Sequence, residues 1–150
     1  MNRLILLVED NPTDEKLTLR AFARCPVPHE LVVVRDGAEA LDWLGGTGSH
    51  ASRDPGTLPA VVLLDLKLPR IDGTEVIRHM RRSERTKYVP VVVLTASAED
   101  EDRALSYALG ANAYLRKPVD FTEFVAAAEI LAAFWLELNE PAPEWRSPNE

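Results

Sequence analysis

Cysteine is almost missing from the 150 residues: Cys25 stands alone, so no disulfide can form within the chain and an apolar core must hold the fold. A buried, inert thiol is the expected state of Cys25. No apolar run approaches the length of a membrane span or a signal-peptide core, and the first, Leu4 to Val8, ends in two carboxylates. A cytoplasmic location with no membrane contact is therefore expected. No basic patch offsets the formal net charge of -7, a field that repels phosphate backbones and argues against nucleic acid as a partner. His29, His50 and His79 share no metal-ligand spacing, and no internal repeat is found. What is present is the composition of one ordinary domain, 46% hydrophobic and 27% charged, able to bury a core unaided.

Four short apolar runs recur: Leu4 to Val8, Leu31 to Val34, Ala60 to Leu64 and Val91 to Leu94, with a weaker fifth at Ala113 to Leu115. They do not alternate. Continuous apolar runs of strand length, each followed by a helical pattern, predict parallel strands covered by helices on both faces, an α/β doubly wound sheet. Helix starts are expected at Asn11 with Pro12, Asp36, Asp72, Ser97 and Asp120. Gly110 is expected to cap the fourth helix, and Gly73 to serve a backbone conformation at the turn into the third. The last helix should run from Asp120 to about Asn139. Gly45 to Pro59 reads as a long surface loop. The domain is expected to span residues 1–138, with 139–150 an extended arm or tail, since Pro141 to Glu150 cannot continue a helix.

Function in such sheets collects at the carboxyl ends of the strands. The first run ends in Glu9 and Asp10, the third in Asp65, the fourth in Thr95, and the fifth is closely followed by Lys117. Three carboxylates packed together repel one another unless a cation neutralises them, which predicts a bound divalent metal. Mg²⁺ suits hard oxygen ligands, and Mn²⁺ can substitute. A carboxylate can itself attack phosphorus when the charge on the transferring oxygens is neutralised. Asp65 is the candidate nucleophile, with the metal, Lys117 and Thr95 each facing one phosphoryl oxygen. Taken singly these residues say little: acids suit a helix start, and a lone Thr or Lys is uninformative.

The segments LLVEDNPTDE, VVLLDLKLPRIDGTEV, VVVLTASAED and GANAYLRKPVD resemble, in order and separation, the receiver domains of bacterial two-component response regulators, here of a stand-alone type with no effector domain attached. The resemblance implies a flavodoxin-like sheet of order 2-1-3-4-5. It also implies a switch, not an enzyme, in which Asp65 takes a phosphoryl group from a sensor histidine kinase and Asp10 and Asp65 bind the metal directly. Glu9 would help through water, and the Lys67 backbone carbonyl would complete the protein ligands. Tyr114 would be an aromatic switch moving with Thr95, and Lys117–Pro118 a cis peptide. The long 45–59 loop and C-terminal arm further resemble regulators paired with bacteriophytochrome kinases.

On the last helix, Phe124, Val125, Ala128, Leu131, Ala132, Trp135 and Leu138 form the face expected to cover the sheet. Ile130 and Phe134 lie off its centre and are read as a contact surface. In the resembled family the fourth helix, fifth strand and fifth helix often dimerise, which makes a homodimer, extended by the arm, the expected assembly. Two rivals are weighed. An aspartate-nucleophile phosphatase would carry an acid two residues after the nucleophile, where Lys67 stands. A pseudo-receiver that binds a partner without phosphorylation would have lost an acid or the lysine, and here the set is complete.

Overall fold

Each apolar run becomes a strand. In the computed structural model, which describes residues 2–50 and 57–143, β1 (Leu4–Val8), β2 (Glu30–Val34), β3 (Val61–Leu64), β4 (Val91–Thr95) and β5 (Ala113–Arg116) pair in parallel in the order β2-β1-β3-β4-β5. This is the expected doubly wound sheet of order 2-1-3-4-5. Between and after the strands lie α1 (Pro12–Ala23), α2 (Gly37–Gly45), α3 (Gly73–Arg82), α4 (Asp100–Leu109) and α5 (Phe121–Ala132).

The absence of alternation has a direct cause: both faces of the sheet are dry. Leu4, Leu6 and Val8 pack with Trp43 and Leu44 of α2 and Val76, Ile77 and Met80 of α3. Ile5 and Leu7 point the other way, onto Ala21 and Phe22 of α1 and Phe124, Ala128 and Ala132 of α5. Fully burying a side chain of the Val to Phe class stabilises by about 1.5–3 kcal/mol, so these two clusters carry most of the fold. Right-handed crossovers send α1 to one face and, after the chain's reversal at β2, α2 and α3 to the other, while α5 returns to the face of α1. The reversal places a topological switch point between β1 and β3, and their carboxyl ends open a crevice there.

Short polar side chains fix where the helices begin. Asn11 Oδ1 accepts from the amides of Thr13 and Asp14 at 2.9 and 3.1 Å, with Pro12 following. Asp36, Asp72 and Asp120 cap α2, α3 and α5 by accepting from Glu39, Glu75 and Thr122. Each satisfies a backbone donor that the helix cannot. Gly110 ends α4 at φ 115°, a left-handed conformation that costs glycine little.

Several expectations are corrected. Ser97 does not cap α4; Glu99 holds that position with no side-chain bond. The Ser97 hydroxyl is engaged two residues earlier, donating to Asp102 at 2.6 Å and accepting from the Glu99 amide at 3.2 Å. The last helix does not run uniformly to Asn139 but widens into a π-helical segment, Ala133–Leu138. The wider turn rephases the buried face, so Leu136 is buried while Leu138, expected on the sheet, is exposed. Within 45–59, Gly45 completes α2 and a 3₁₀ turn forms at Gly48–His50; residues 51–56 lie outside the described residues, as do 144–150 of the expected arm or tail. No peptide bond among the described residues is cis: Lys117–Pro118 is trans, the form that Xaa-Pro bonds favour by about 0.5–1 kcal/mol.

Gly73 is required by crowding, not by a special φ. A Cβ there would lie 2.5 Å from the carbonyl oxygen of Asp65 and 2.7 Å from the Leu66 Cα, so the first turn of α3 rests directly on the backbone at the end of β3. Gly73→Ala is expected to cost about 1–3 kcal/mol through overpacking. Urea unfolding would measure it, and an unchanged midpoint would contradict this packing.

Candidate functional site

The carboxyl ends of β1, β3, β4 and β5 deliver their polar residues to one cleft of about 760 Å³, lined by Asp10, Asp14, Asp65, Thr95 and Lys117 among others. Backbone bonds extend the sheet past its apolar part and fix these positions. The Glu9 amide donates to Val34 O at 3.0 Å, Asp65 N to Val8 O at 3.1 Å and Lys117 N to Thr95 O at 2.7 Å. The side chains are therefore presented by the most rigid part of the molecule.

At the centre stands the Lys117 ammonium, whose side chain is 9% exposed. It lies 2.6 Å from Glu9 Oε1, 2.8 Å from Asp65 Oδ2 and 2.8 Å from Asp14 Oδ2. Asp65 Oδ1 accepts from the Lys67 amide at 3.3 Å, and Glu9 Oε2 from the Asn11 amide at 3.3 Å. One carboxylate oxygen from each of Glu9, Asp10 and Asp65 lies within 4.8 Å of the others. Glu9 and Asp65 are buried, whereas Asp10 is exposed and faces the cleft.

The charges do not balance. Four carboxylates (Glu9, Asp10, Asp14 and Asp65) face a single ammonium, and an acidic cluster of this kind attracts a divalent cation. Burial pushes the Glu9 carboxyl up to about 7, with the Asp65 charge adding to the rise and Lys117 opposing it. Burial also works against the Asp65 carboxylate, but the hydrogen bond and charge of Lys117 outweigh it and hold Asp65 below its ordinary value. Lys117 is itself desolvated, yet bonds to Asp14, Asp65 and Glu9 raise it above its ordinary value.

Thr95 is fully buried at the end of β4, and its Oγ1 accepts from the Ser97 amide at 3.4 Å. Tyr114 on β5 is half-buried and donates from its hydroxyl to the Ser97 carbonyl at 3.1 Å. Both residues thus touch the loop after β4. Lys67 lines the cleft with its backbone beside Asp65, and its ammonium reaches 3.6 Å from Asp102. Ile130 and Phe134 are not part of this assembly. They lie more than two turns along the last helix, 69% and 45% exposed.

Two participants escape a reading of the sequence. Asp14 looks like an acid placed to suit the helix dipole, and Asp102 like one of four consecutive acids from Glu99. The available signal for Asp14 was its place on the first turn of a helix that starts at the crest of β1.

A comparison with protein-family models matches residues 5–129 to the response regulator receiver domain. The chain belongs to the response regulator receiver family. Among curated relatives, the probable methanogenesis regulatory protein FilR2 of Methanothrix harundinacea is 42% identical over 93% of this chain and 88% of its own length. Among solved structures, the Mn²⁺-bound form of response regulator Rcp1, a protein of Synechocystis, superposes with TM-score 0.83 at 34% identity, covering 94% of this receiver and 99% of that chain. The phosphorylated cyanobacterial phytochrome response regulator RcpA gives 0.86 at 36%, covering 95% and 100%. The bacteriophytochrome response regulator AtBRR gives 0.74 at 53%, covering 93% and 99%. The receiver also has no described helix long and apolar enough to cross a membrane.

In metal-free receiver the Glu9 carboxyl carbon is expected to titrate by ¹³C NMR with a midpoint near 7. The folded state then holds this proton more tightly than the unfolded chain, so the associated stability is present at low pH and is lost as pH rises from about 4.5 through about 7. A Glu9 midpoint in the ordinary carboxylate range would contradict the burial argument.

Proposed function

We propose that this receiver is a phosphorylation switch in which Asp65 accepts a phosphoryl group from the phosphohistidine of a sensor histidine kinase. The observation that carries the reading is the pairing of Asp65, at the crest of a buried strand, with the Lys117 ammonium at 2.8 Å, while Thr95 ends the next strand. In the transfer, an Asp65 carboxylate oxygen forms a bond to phosphorus as the P–N bond breaks, and the electron pair leaves with the imidazole. Lys117 and the Thr95 hydroxyl bind and orient two of the phosphoryl oxygens, and the buried surroundings strengthen both interactions.

The donor set fits a hard divalent cation: three clustered carboxylates with an excess of negative charge. Asp10 and Asp65 would hold Mg²⁺ directly, with Glu9 through water and the Lys67 carbonyl as further ligand, and Mn²⁺ would substitute. Once bound, the cation neutralises charge on the transferring group. The Mn²⁺-bound state of Rcp1 and the phosphorylated state of RcpA support this reading by similarity.

Output follows from the residues around Thr95. Pulling the Thr95 hydroxyl toward the phosphoryl group would disturb its bond to the Ser97 amide, and Tyr114, bonded to the same loop, would move with it. The domain proper is residues 1–138, with 139–150 an extended arm or tail. The exposed pair Ile130 and Phe134 belongs to a homodimer surface built from α4, β5 and α5. The chain works in the cytoplasm with a bacteriophytochrome kinase as partner, a reading that rests on similarity to AtBRR and RcpA. Its chemistry is limited to its own Asp65: acceptance of the group and slow hydrolysis.

Incubation with Mg²⁺ and acetyl phosphate, followed by intact-mass measurement, is expected to add one hydroxylamine-labile phosphoryl group to the wild type. Asp65→Asn and an EDTA-treated sample should stay unmodified. If the wild type remains unmodified even when candidate kinases replace acetyl phosphate, the acceptor role fails and phosphorylation-independent binding takes its place.

A further inference from the structure

An ammonium group has three donor protons, and on Lys117 three carboxylates crowd them: it donates to Asp65 Oδ2 and Asp14 Oδ2 at 2.8 Å each and pairs with Glu9 Oε1 at 2.6 Å. A phosphoryl oxygen that is to bind Lys117 must displace one of them. This step rests on the acceptor role proposed for Asp65.

The three are not equally replaceable. Asp65 is the group being modified. Glu9 is almost wholly buried and also holds the Asn11 amide, so releasing it would strand a charge away from water. Asp14 differs on both counts. Its side chain is 31% exposed, it lines the mouth of the cleft from the first turn of α1, and water can solvate it once released. We infer that Asp14 is a positioning residue that occupies, on Lys117, the place a phosphoryl oxygen takes, and so opposes entry of anions to the resting site.

Two effects act in the same direction. The Asp14 carboxylate competes for a proton of Lys117, and its charge repels an incoming anion across a few ångströms of partly desolvated cleft. Asp14→Asn keeps the shape, removes the charge and offers a weaker acceptor. The variant should therefore bind phosphoryl-like anions more tightly. If Asp14 only aimed the lysine, the same change would weaken binding.

The test is calorimetric binding of beryllium trifluoride, a phosphoryl mimic, at saturating Mg²⁺ to wild type, Asp14→Asn, Asp14→Glu and Asp65→Asn, each with its thermal unfolding measured beside it. The expected result is binding roughly three- to tenfold tighter in Asp14→Asn, near wild type in Asp14→Glu, which restores the charge, and absent in Asp65→Asn. A second readout needs no mimic. The Lys117 ammonium signal in ¹⁵N-edited spectra, held by three carboxylates in the wild type, should exchange faster in Asp14→Asn. Wild-type binding with equal or weaker affinity in Asp14→Asn would overturn the inference and leave the acceptor role of Asp65 standing, as would an unchanged ammonium signal. Failure of the wild type to bind the mimic would overturn both.

Discussion

The Lys117 ammonium is the interaction on which the site depends. It bonds three carboxylates carried on three different elements: Glu9 just after β1, Asp14 on α1 and Asp65 just after β3. Without a cation among them, two buried acids at the ends of neighbouring strands would repel each other inside the molecule. Removing one partner of a buried charge pair costs about 3–5 kcal/mol, because the other charge is left uncompensated. The arrangement therefore ties the mutual position of three elements to one side chain, and the 2.7 Å bond from the Lys117 amide to Thr95 O ties that side chain to β4.

The same rigidity gives the site its reach. Glu9, Asp10, Asp65 and Lys117 sit at the ends of the sheet's strands, so a change of charge there cannot be absorbed by soft backbone. The adjustable parts are the loops. The loop after β4 is held from inside by Thr95 through the Ser97 amide, from β5 by the Tyr114 hydroxyl on the Ser97 carbonyl, and from α4 by Asp102 on the Ser97 hydroxyl. Asp102 also lies 3.6 Å from the Lys67 ammonium in the loop after β3. Ser97 is thus the point where the cleft meets the surface of α4 and β5. Strain is stored nearby as well: Arg70, in the loop after β3, takes a left-handed φ of 68° and pairs with Asp36 at the start of α2 at 3.3 Å. Such a conformation costs a non-glycine residue on the order of 1–3 kcal/mol.

Much of this was legible because its signals are local. A strand buried on both faces must be apolar throughout, which marked β1, β3 and β4 to within a residue of their ends, and the partly buried edge strands β2 and β5 kept enough of that pattern to be found as well. Asn11, Asp36, Asp72 and Asp120 cap helices through their own neighbours. The acids and Thr95 at strand ends revealed the cleft because topology alone brings those ends together. What escaped depends on distant partners or on winding. Asp14 meets Lys117 across 103 positions of chain, and its place on the first turn of α1 puts it near the cleft without naming that partner. Ser97 has the chemistry of a cap, but Asp102 claims its hydroxyl. The phase of the last helix was lost where the π-helical turns begin, because a wheel of fixed pitch puts Leu138 where Leu136 lies.

The most direct test is the thermal and denaturant stability of Lys117→Met with and without saturating Mg²⁺. The expected result is a loss of about 3–5 kcal/mol relative to wild type in metal-free buffer, much of it recovered when Mg²⁺ supplies the missing positive charge. A variant as stable as wild type without metal, or a gap that Mg²⁺ leaves unchanged, would contradict the view that a cation holds these carboxylates together.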